Sequence, residues 1–123
     1  RGETVLVVED EEIIMQLSVK MLKQLNYSVV SANTPGQAIE LVKNHAHNID
    51  LLLTDVVMPE MNGKELSERI LSLCPHIRTL FMSGYTTSII AEHGVLDESV
   101  HFLAKPFSKN DLAVKVRQTL DQG

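Results

Sequence analysis

The sequence lacks a second cysteine, a long apolar run and an excess of positive charge. Cys74 has no partner for an internal disulfide, so we expect a reducing compartment, the cytoplasm. We expect its thiol to be a small buried apolar group, because no activating base is evident beside it. No stretch approaches the roughly 20 apolar residues of a membrane span, and no signal peptide is visible. The formal net charge of -5 argues against a nucleic-acid-binding surface, which is normally basic.

The spacing of zinc ligands is also absent. His45 and His47 are wrongly spaced for one helical face, and His76, His93 and His101 are scattered along the chain. Zinc sites usually group histidines and cysteines at short, regular spacings. The sequence therefore predicts solvated or partly packed histidines and no zinc centre.

Apolar runs alternate with helical patterns along the whole chain. Its 123 residues are 44% hydrophobic and 22% charged, which is typical of one globular domain, and we assign residues 1–123 to a single domain. The alternation predicts an α/β fold whose parallel sheet is covered on both faces. The predicted strands span 4–8, 28–32, 50–54, 78–82 and 100–104.

The segments between these runs carry apolar residues at helical spacing and capping residues at their starts. The predicted apolar stripes are Ile14, Leu17, Met21 and Leu25; Leu66, Ile70 and Leu73; and Leu112, Val116 and Leu120. Thr34, Asn62 and Ser108 each precede a glutamine or an acid by three residues, which indicates a helix start. A weaker pattern predicts a fourth helix over 86–93.

Charged and hydroxyl side chains stand where four of the predicted strands end. Glu9 and Asp10 follow the first strand, Asp55 the third, Ser83 the fourth and Lys105 the fifth. Parallel strands end at one edge of a sheet, and ligands of open α/β sheets bind outside that edge. The sequence therefore predicts that these residues lie close together.

Three carboxylates at one edge require a counter-charge. Two carboxylates about 4 Å apart repel by roughly 4 kcal/mol at an effective dielectric of 20. Lys105 supplies one positive charge, and a divalent ion would supply the rest. Mg²⁺ is favoured because it combines a few carboxylates with water and phosphate oxygens. An aspartate beside Mg²⁺ can act as a nucleophile toward phosphorus, which makes Asp55 the candidate acceptor and Ser83 a hydrogen-bond donor to the product.

Each of these residues also has a purely structural interpretation. Asp10 could cap the following helix, and Asp55 could be a turn residue. Ser83 could be a loop entry and Lys105 a solvated charge at a strand end. The agreement of all of them at one edge favours the functional interpretation.

The motifs resemble the receiver domain of two-component response regulators. The resemblance rests on residues 7–11, 54–63, 83–84 and 105–107, and it extends over nearly the whole chain. It implies a flavodoxin-like doubly wound (βα)5 three-layer sandwich with strand order 2-1-3-4-5. It also implies a phosphorylation-controlled signalling domain that is not an enzyme acting on external substrates.

The resemblance implies a role for each residue at the site. Asp55 would accept a phosphoryl group from a phosphohistidine. Asp10, Asp55 and the backbone carbonyl of Val57 would bind Mg²⁺ directly, and Glu9 would act through a water molecule. Glu9 stands where aspartate is more usual, and its extra methylene favours that indirect contact. Lys105 would contact the phosphoryl group.

A conformational switch and its partners are implied as well. Ser83 would turn toward the phosphoryl group and Phe102 would follow it inward, changing the face made by the fourth helix, fifth strand and fifth helix. The implied partner is a histidine kinase or a histidine phosphotransfer domain, with a receiver–receiver dimer as a further option. Residues 81–86 resemble receivers attached to hybrid sensor kinases, which favours that origin over a free-standing regulator.

Three other functions fit parts of the pattern. A flavin-binding module needs a loop rich in Ser, Thr or Gly after the first strand, but this loop holds only acids over 9–12. A phosphatase acting on external substrates would carry a second aspartate where Val57 stands. A degenerate receiver that serves only as a binding platform would not need to keep the acceptor, the acids and the lysine together.

Overall fold

The computed structural model describes residues 2–45, 49–84 and 101–121. Its strands are β1 (Thr4–Val8), β2 (Ser28–Ala32), β3 (Leu51–Asp55), β4 (Arg78–Ser83) and β5 (His101–Ala104). All neighbouring strands pair in parallel, in the order β2-β1-β3-β4-β5. This order confirms the flavodoxin-like prediction, and it places a crevice at the carboxyl ends of β1 and β3, where the direction of winding reverses.

Two strands end later than the sequence predicts. Asp55 is the last residue of β3 and is aligned with Met82, while Ser83 is the last residue of β4 and is aligned with Ala104. The backbones of Asp55 and Ser83 are therefore held by the strand ladder and do not belong to the following loops. The predicted start of β5 at position 100 lies outside the described residues.

Helices lie between the first four strands as predicted, and one more follows β5. They are α1 (Glu12–Gln24), α2 (Pro35–His45), α3 (Gly63–Leu73) and a last helix (Lys109–Asp121). The Asn62 Oδ1 accepts the N–H of Glu65 at 2.8 Å, and Ser108 and Asp111 bond reciprocally at 3.1 and 3.0 Å, which confirms both caps. The predicted fourth helix over 86–93 lies outside the described residues. Among the helices that the structure does describe, none has the length and apolar character needed to cross a bilayer.

Apolar side chains cover both faces of the sheet. One core cluster joins alternate residues of β1, β3 and β4 to α1 and the last helix. A second cluster joins the intervening residues of β1 and β3 to α2 and α3. The apolar residues of β1 and β3 without exposed surface are Val5, Leu6, Val7, Val8, Leu51, Leu52 and Leu53. Strands buried on both faces need such unbroken apolar runs, so the predicted three-layer arrangement is confirmed.

Two of the predicted helical stripes are wrong in part. α1 buries Ser18 and Leu22, whereas Leu17 is 51% exposed. The helix carries two adjacent apolar rows, and periodicity alone does not decide which row faces the sheet. In α3, Leu73 is 44% exposed, and Cys74, which follows the last helical residue, is buried in its place.

Candidate functional site

The carboxyl ends of the strands bring the predicted site residues to one edge of the sheet. Glu9 continues β1 by one residue, since its N–H donates to the carbonyl oxygen of Ala32 at 3.1 Å. Lys105 continues β5 in the same way, because its N–H donates to the carbonyl oxygen of Ser83 at 2.9 Å. Asp55 ends the central strand between them. Hydrogen bonds of the sheet therefore fix the backbone of each group.

Lys105, Glu9 and Asp55 form an ion cluster with little exposed surface. The Nζ of Lys105 lies 2.8 Å from the Oε1 of Glu9 and 2.5 Å from the Oδ1 of Asp55. The Oε2 of Glu9 accepts the backbone N–H of Glu11 at 3.1 Å. Both acids are buried, so one lysine faces two carboxyl groups that have lost their hydration. The cluster therefore needs either a proton or a further cation.

Of the two buried acids, Asp55 is the one whose protonated form the site favours. Burial raises the pKa of Asp55 to about 8; the Glu9 carboxylate also raises it, and Lys105 opposes both. Burial also opposes ionisation of Glu9, but hydrogen bonds with Asp55 and Lys105 outweigh it and lower the pKa of Glu9. Burial likewise disfavours the charged form of Lys105, yet its contacts with the two acids raise its pKa. These shifts favour an ionised Glu9 paired with a charged Lys105.

Asp10 completes a set of oxygen ligands beside this cluster. Carboxylate oxygens of Glu9, Asp10 and Asp55 all lie within 4.8 Å of one another. Asp10 is exposed while the other two are buried, so a cation arriving from solvent meets Asp10 first. Hard oxygen ligands of this kind suit Mg²⁺. The charge of a divalent ion would offset the negative charge of the carboxylates that one lysine leaves unbalanced. These residues therefore fit the predicted metal.

A polar cavity of about 360 Å³ opens over the cluster. Asp10, Asp55, Val57, Ser83 and Lys105 are among its lining residues. Ser83 is buried at its edge, at the end of β4. The structure thus brings Ser83 and Val57 to the same space as the acids, as predicted from the strand ends and the resemblance.

Phe102 lies beside the site and does not line the cavity. It is half-buried and aligned with Phe81 across the β4–β5 pair. With Val56 and Val57 the two aromatic rings form a small apolar cluster. The switch role of Phe102 stays a prediction, because the predicted fourth helix lies in the part of the chain that is not described.

Sequence reasoning missed Gly63 as a residue that supports the site. Its N–H donates to the carbonyl oxygen of Val56 at 2.7 Å. A Cβ at this position would overlap the carbonyl oxygen of Asp55, and backbone atoms of Asp55 and Val56 would be within 3.1 and 3.2 Å of it. The first turn of α3 therefore packs directly on the loop that follows Asp55. The sequence signals at this position are the Asn62-Gly63 pair, which indicates a helix cap, and the end of the motif over 54–63.

Comparison with known proteins identifies the family. A family model described as the response regulator receiver domain matches residues 5–117. The chain belongs to this family. It is thus a receiver domain of two-component systems, and a signalling domain instead of a conventional enzyme.

Relatives of this receiver domain occur in kinases and in regulators. It is 35% identical over 119 residues to the sensor kinase CckA of Brucella abortus, an alignment that covers 97% of this chain and 13% of the kinase. It is 29% identical over 116 residues to the response regulator receiver protein CpdR of the same species, covering 94% of this chain and 95% of that protein. The chain thus spans only a small part of the kinase it matches.

Solved structures share the fold. The crystal structure of the receiver domain from the hybrid histidine kinase CckA matches with a TM-score of 0.80 at 30% identity, covering 96% of this chain and 99% of that one. The chemotaxis protein CheY4 of Vibrio cholerae matches with a TM-score of 0.84 at 24% identity, covering 98% and 100%. The second likeness shows the fold alone.

Proposed function

We propose that this receiver accepts a phosphoryl group on Asp55 from the phosphohistidine of a histidine kinase or a histidine phosphotransfer domain. The observation that carries the proposal is the contact of Asp55 with Lys105 below a polar cavity, beside Glu9 and Asp10. A buried aspartate, a charged lysine and two further acids within reach of one cation form the set that an acyl phosphate needs.

Asp55 is the nucleophile in this reaction. The proton that it holds in the metal-free state leaves first, and a carboxylate oxygen then attacks phosphorus in line. The O–P bond forms as the P–N bond to the donor imidazole breaks, and the electron pair of that bond stays on the imidazole nitrogen. Asp10, Asp55 and the carbonyl oxygen of Val57 would hold Mg²⁺, with Glu9 acting through a water molecule, and the bound ion would supply positive charge to the phosphoryl oxygens.

Lys105 and Ser83 hold the product. Lys105 stays charged, because both neighbouring acids raise its pKa, and its ammonium group passes from Asp55 to a phosphoryl oxygen. Ser83 donates a hydrogen bond from its hydroxyl group to another oxygen. These contacts exist only in the phosphorylated state, so they bias a two-state equilibrium. We propose that Phe102 carries this change to the face that includes β5 and the last helix.

Intact-mass measurement tests the acceptor. Incubation with Mg²⁺ and a small phosphodonor such as acetyl phosphate is expected to add the mass of one phosphoryl group. Asp55→Asn should add none, because its amide oxygen is a poor nucleophile. Asp121→Asn makes the same chemical change at an exposed position of the last helix and should label like the wild type. Equal labelling of Asp55→Asn and wild type would contradict the proposal.

Magnesium affinity should depend on pH. Below about pH 8 Asp55 holds a proton that Mg²⁺ must displace, so the metal-bound state carries fewer protons than the metal-free state. The affinity for Mg²⁺ is therefore expected to rise up to about tenfold per pH unit between pH 6 and 8 and to level off above. Calorimetric titration measures it, and Asp55→Asn should lose most of the dependence. An affinity that is constant across this range would be inconsistent with the protonated carboxyl.

An apolar groove next to the site fits a phosphodonor domain. On α1, Ile13 is 74% and Leu17 51% exposed, which is unusual for large apolar side chains. A groove of about 440 Å³ runs between α1 and the segment after β5, lined by Leu17, Met21, Pro106 and Phe107 among others. Lys105 lines both this groove and the polar cavity. We propose that the donor docks here, since its histidine must come within bonding distance of Asp55.

Leu17→Asp should separate docking from chemistry. The change is expected to slow phosphotransfer from a phosphorylated histidine kinase by about tenfold or more, since it places a charge in an apolar contact. Labelling by acetyl phosphate should stay unchanged. Gln16→Asp adds the same charge on the side of α1 that faces the edge strand β2 and serves as the control. The donor to use is the histidine kinase of the source organism that transfers its phosphoryl group to the wild-type chain fastest. A parallel loss with both donors would instead indicate damage to the site.

The wider context is also a proposal. We propose that residues 1–123 form one receiver domain that acts in the cytoplasm, makes no direct contact with nucleic acid and belongs to a hybrid sensor kinase. The formal charge of -5 and the likeness to the CckA receiver support this context. A receiver–receiver dimer stays a prediction, and sedimentation of the phosphorylated chain tests it.

A further inference from the structure

Cys74 and His76 form a thiol–imidazole pair at the opposite end of the sheet from Asp55. The Sγ of Cys74 lies 3.0 Å from the Nδ1 of His76, and the Nε2 of the same ring lies 2.9 Å from the carbonyl oxygen of Ile49. This geometry corrects the expectation that no base lies beside the thiol. The pair takes no part in the phosphoryl chemistry proposed above.

The contacts of His76 define which ring nitrogen can act as a base. A carbonyl oxygen only accepts hydrogen bonds, so the Nε2 facing Ile49 must carry a hydrogen. The Nδ1 is then the nitrogen that exchanges a proton with the Cys74 thiol. A nucleophile, a base within hydrogen-bond reach and a third group that orients the base are the components that activate cysteine in enzymes.

Access to the thiol is narrow. Cys74 is 7% exposed, whereas His76 is an exposed residue. On its inner side Cys74 belongs to the apolar cluster that contains Ile70 and Ile77. Such limited exposure favours a small reactant over a bulky one, and His76 is the member of the pair with more surface in solvent.

We propose that Cys74 is a site of oxidation by a small peroxide, with His76 as the base. The Nδ1 of His76 takes the thiol proton, and the sulfur electron pair attacks one peroxide oxygen. The O–O bond breaks, and the leaving oxygen takes the proton from Nδ1 and departs as water. The sulfur loses two electrons to the peroxide and becomes a sulfenic acid, which thiols reduce back.

The test uses the whole chain, hydrogen peroxide and the sulfenic-acid probe dimedone. Cys74 is the only cysteine, so one dimedone adduct in the intact mass reports this site. Near pH 6 a free thiol is almost wholly protonated, and the native chain is expected to form the adduct about tenfold faster or more than the same chain unfolded in urea. This comparison needs no variant and therefore holds even if a substitution impairs folding.

A histidine variant assigns the base. His76→Gln is expected to remove most of the tenfold advantage, while the same substitution at His101, in β5, should leave the rate unchanged. Labelling of Asp55 by acetyl phosphate should be the same in His76→Gln and wild type, so the two proposals can fail separately. A native thiol that reacts no faster than the unfolded one, or a His76→Gln rate equal to the wild-type rate, would overturn the inference.

Discussion

Lys105→Met is expected to lower the free energy of unfolding by about 3 kcal/mol at pH 8.5 without Mg²⁺. The substitution keeps the apolar stem of the side chain but removes the cation that contacts Glu9 at 2.8 Å and Asp55 at 2.5 Å. Two buried acids then stand without a counter-charge. Urea unfolding monitored by circular dichroism measures the loss.

The pH dependence of this loss distinguishes a charge effect from a packing effect. Near pH 5 the two acids of the Lys105→Met variant can take up protons, so the loss of unfolding free energy should be small. The loss should grow as the pH rises through 8, where the Asp55 carboxyl of the wild type loses its proton. Adding Glu9→Gln to Lys105→Met should restore part of the stability at high pH. Lys109→Met, at an exposed position of the last helix, is the matched control. A loss of equal size at pH 5 and 8.5 would refute the electrostatic explanation.

Gly63→Ala is expected to destabilise the domain by about 2 kcal/mol or more and to weaken Mg²⁺ binding. The new Cβ would overlap the carbonyl oxygen of Asp55, which is backbone and cannot rotate away. Relief requires α3 to move, or the end of β3 and the loop after it, which carry Asp55 and Val57. Chemical unfolding and Mg²⁺ titration measure the two effects.

Gly36→Ala provides a control within the same chain. The glycine lies in the first turn of α2, and a Cβ there has Thr34 Oγ1, at 4.0 Å, as its nearest neighbour. Alanine should therefore be tolerated or should stabilise the helix by about 0.5 kcal/mol. If both alanine variants had similar stability, the close approach of α3 to Asp55 would not be the reason for glycine at 63.

The sequence predicts the fold well because the strands and their ends carry redundant signals. Each central strand is apolar on both faces, which only a covered parallel sheet requires. The apolar runs end in the polar residues Glu9, Asp55 and Lys105, each at the carboxyl end of its strand. Because the strands are parallel and joined by right-handed crossovers, these ends lie at one edge of the sheet. Their contacts at 2.5 and 2.8 Å follow from this placement.

The features that sequence reasoning missed depend on how separate secondary-structure elements pack against one another. Whether Leu17 or Ser18 faces the sheet depends on how α1 is rotated, and both rows of the helix are rich in apolar residues. The need for glycine at 63 arises from backbone atoms of Asp55 and Val56, which come several residues earlier in the sequence. The Cys74–His76 pair needs the carbonyl oxygen of Ile49 to orient the ring, and no local pattern encodes that contact.

A crystal structure with Mg²⁺ and beryllofluoride tests the central claim most directly, because beryllofluoride mimics a phosphoryl group on a carboxylate. We expect it on a carboxylate oxygen of Asp55, with the Nζ of Lys105 and the hydroxyl group of Ser83 in contact and the metal on Asp10. A bare Asp55 carboxyl in crystals that hold Mg²⁺ at the neighbouring acids would contradict its role as the phosphoryl acceptor.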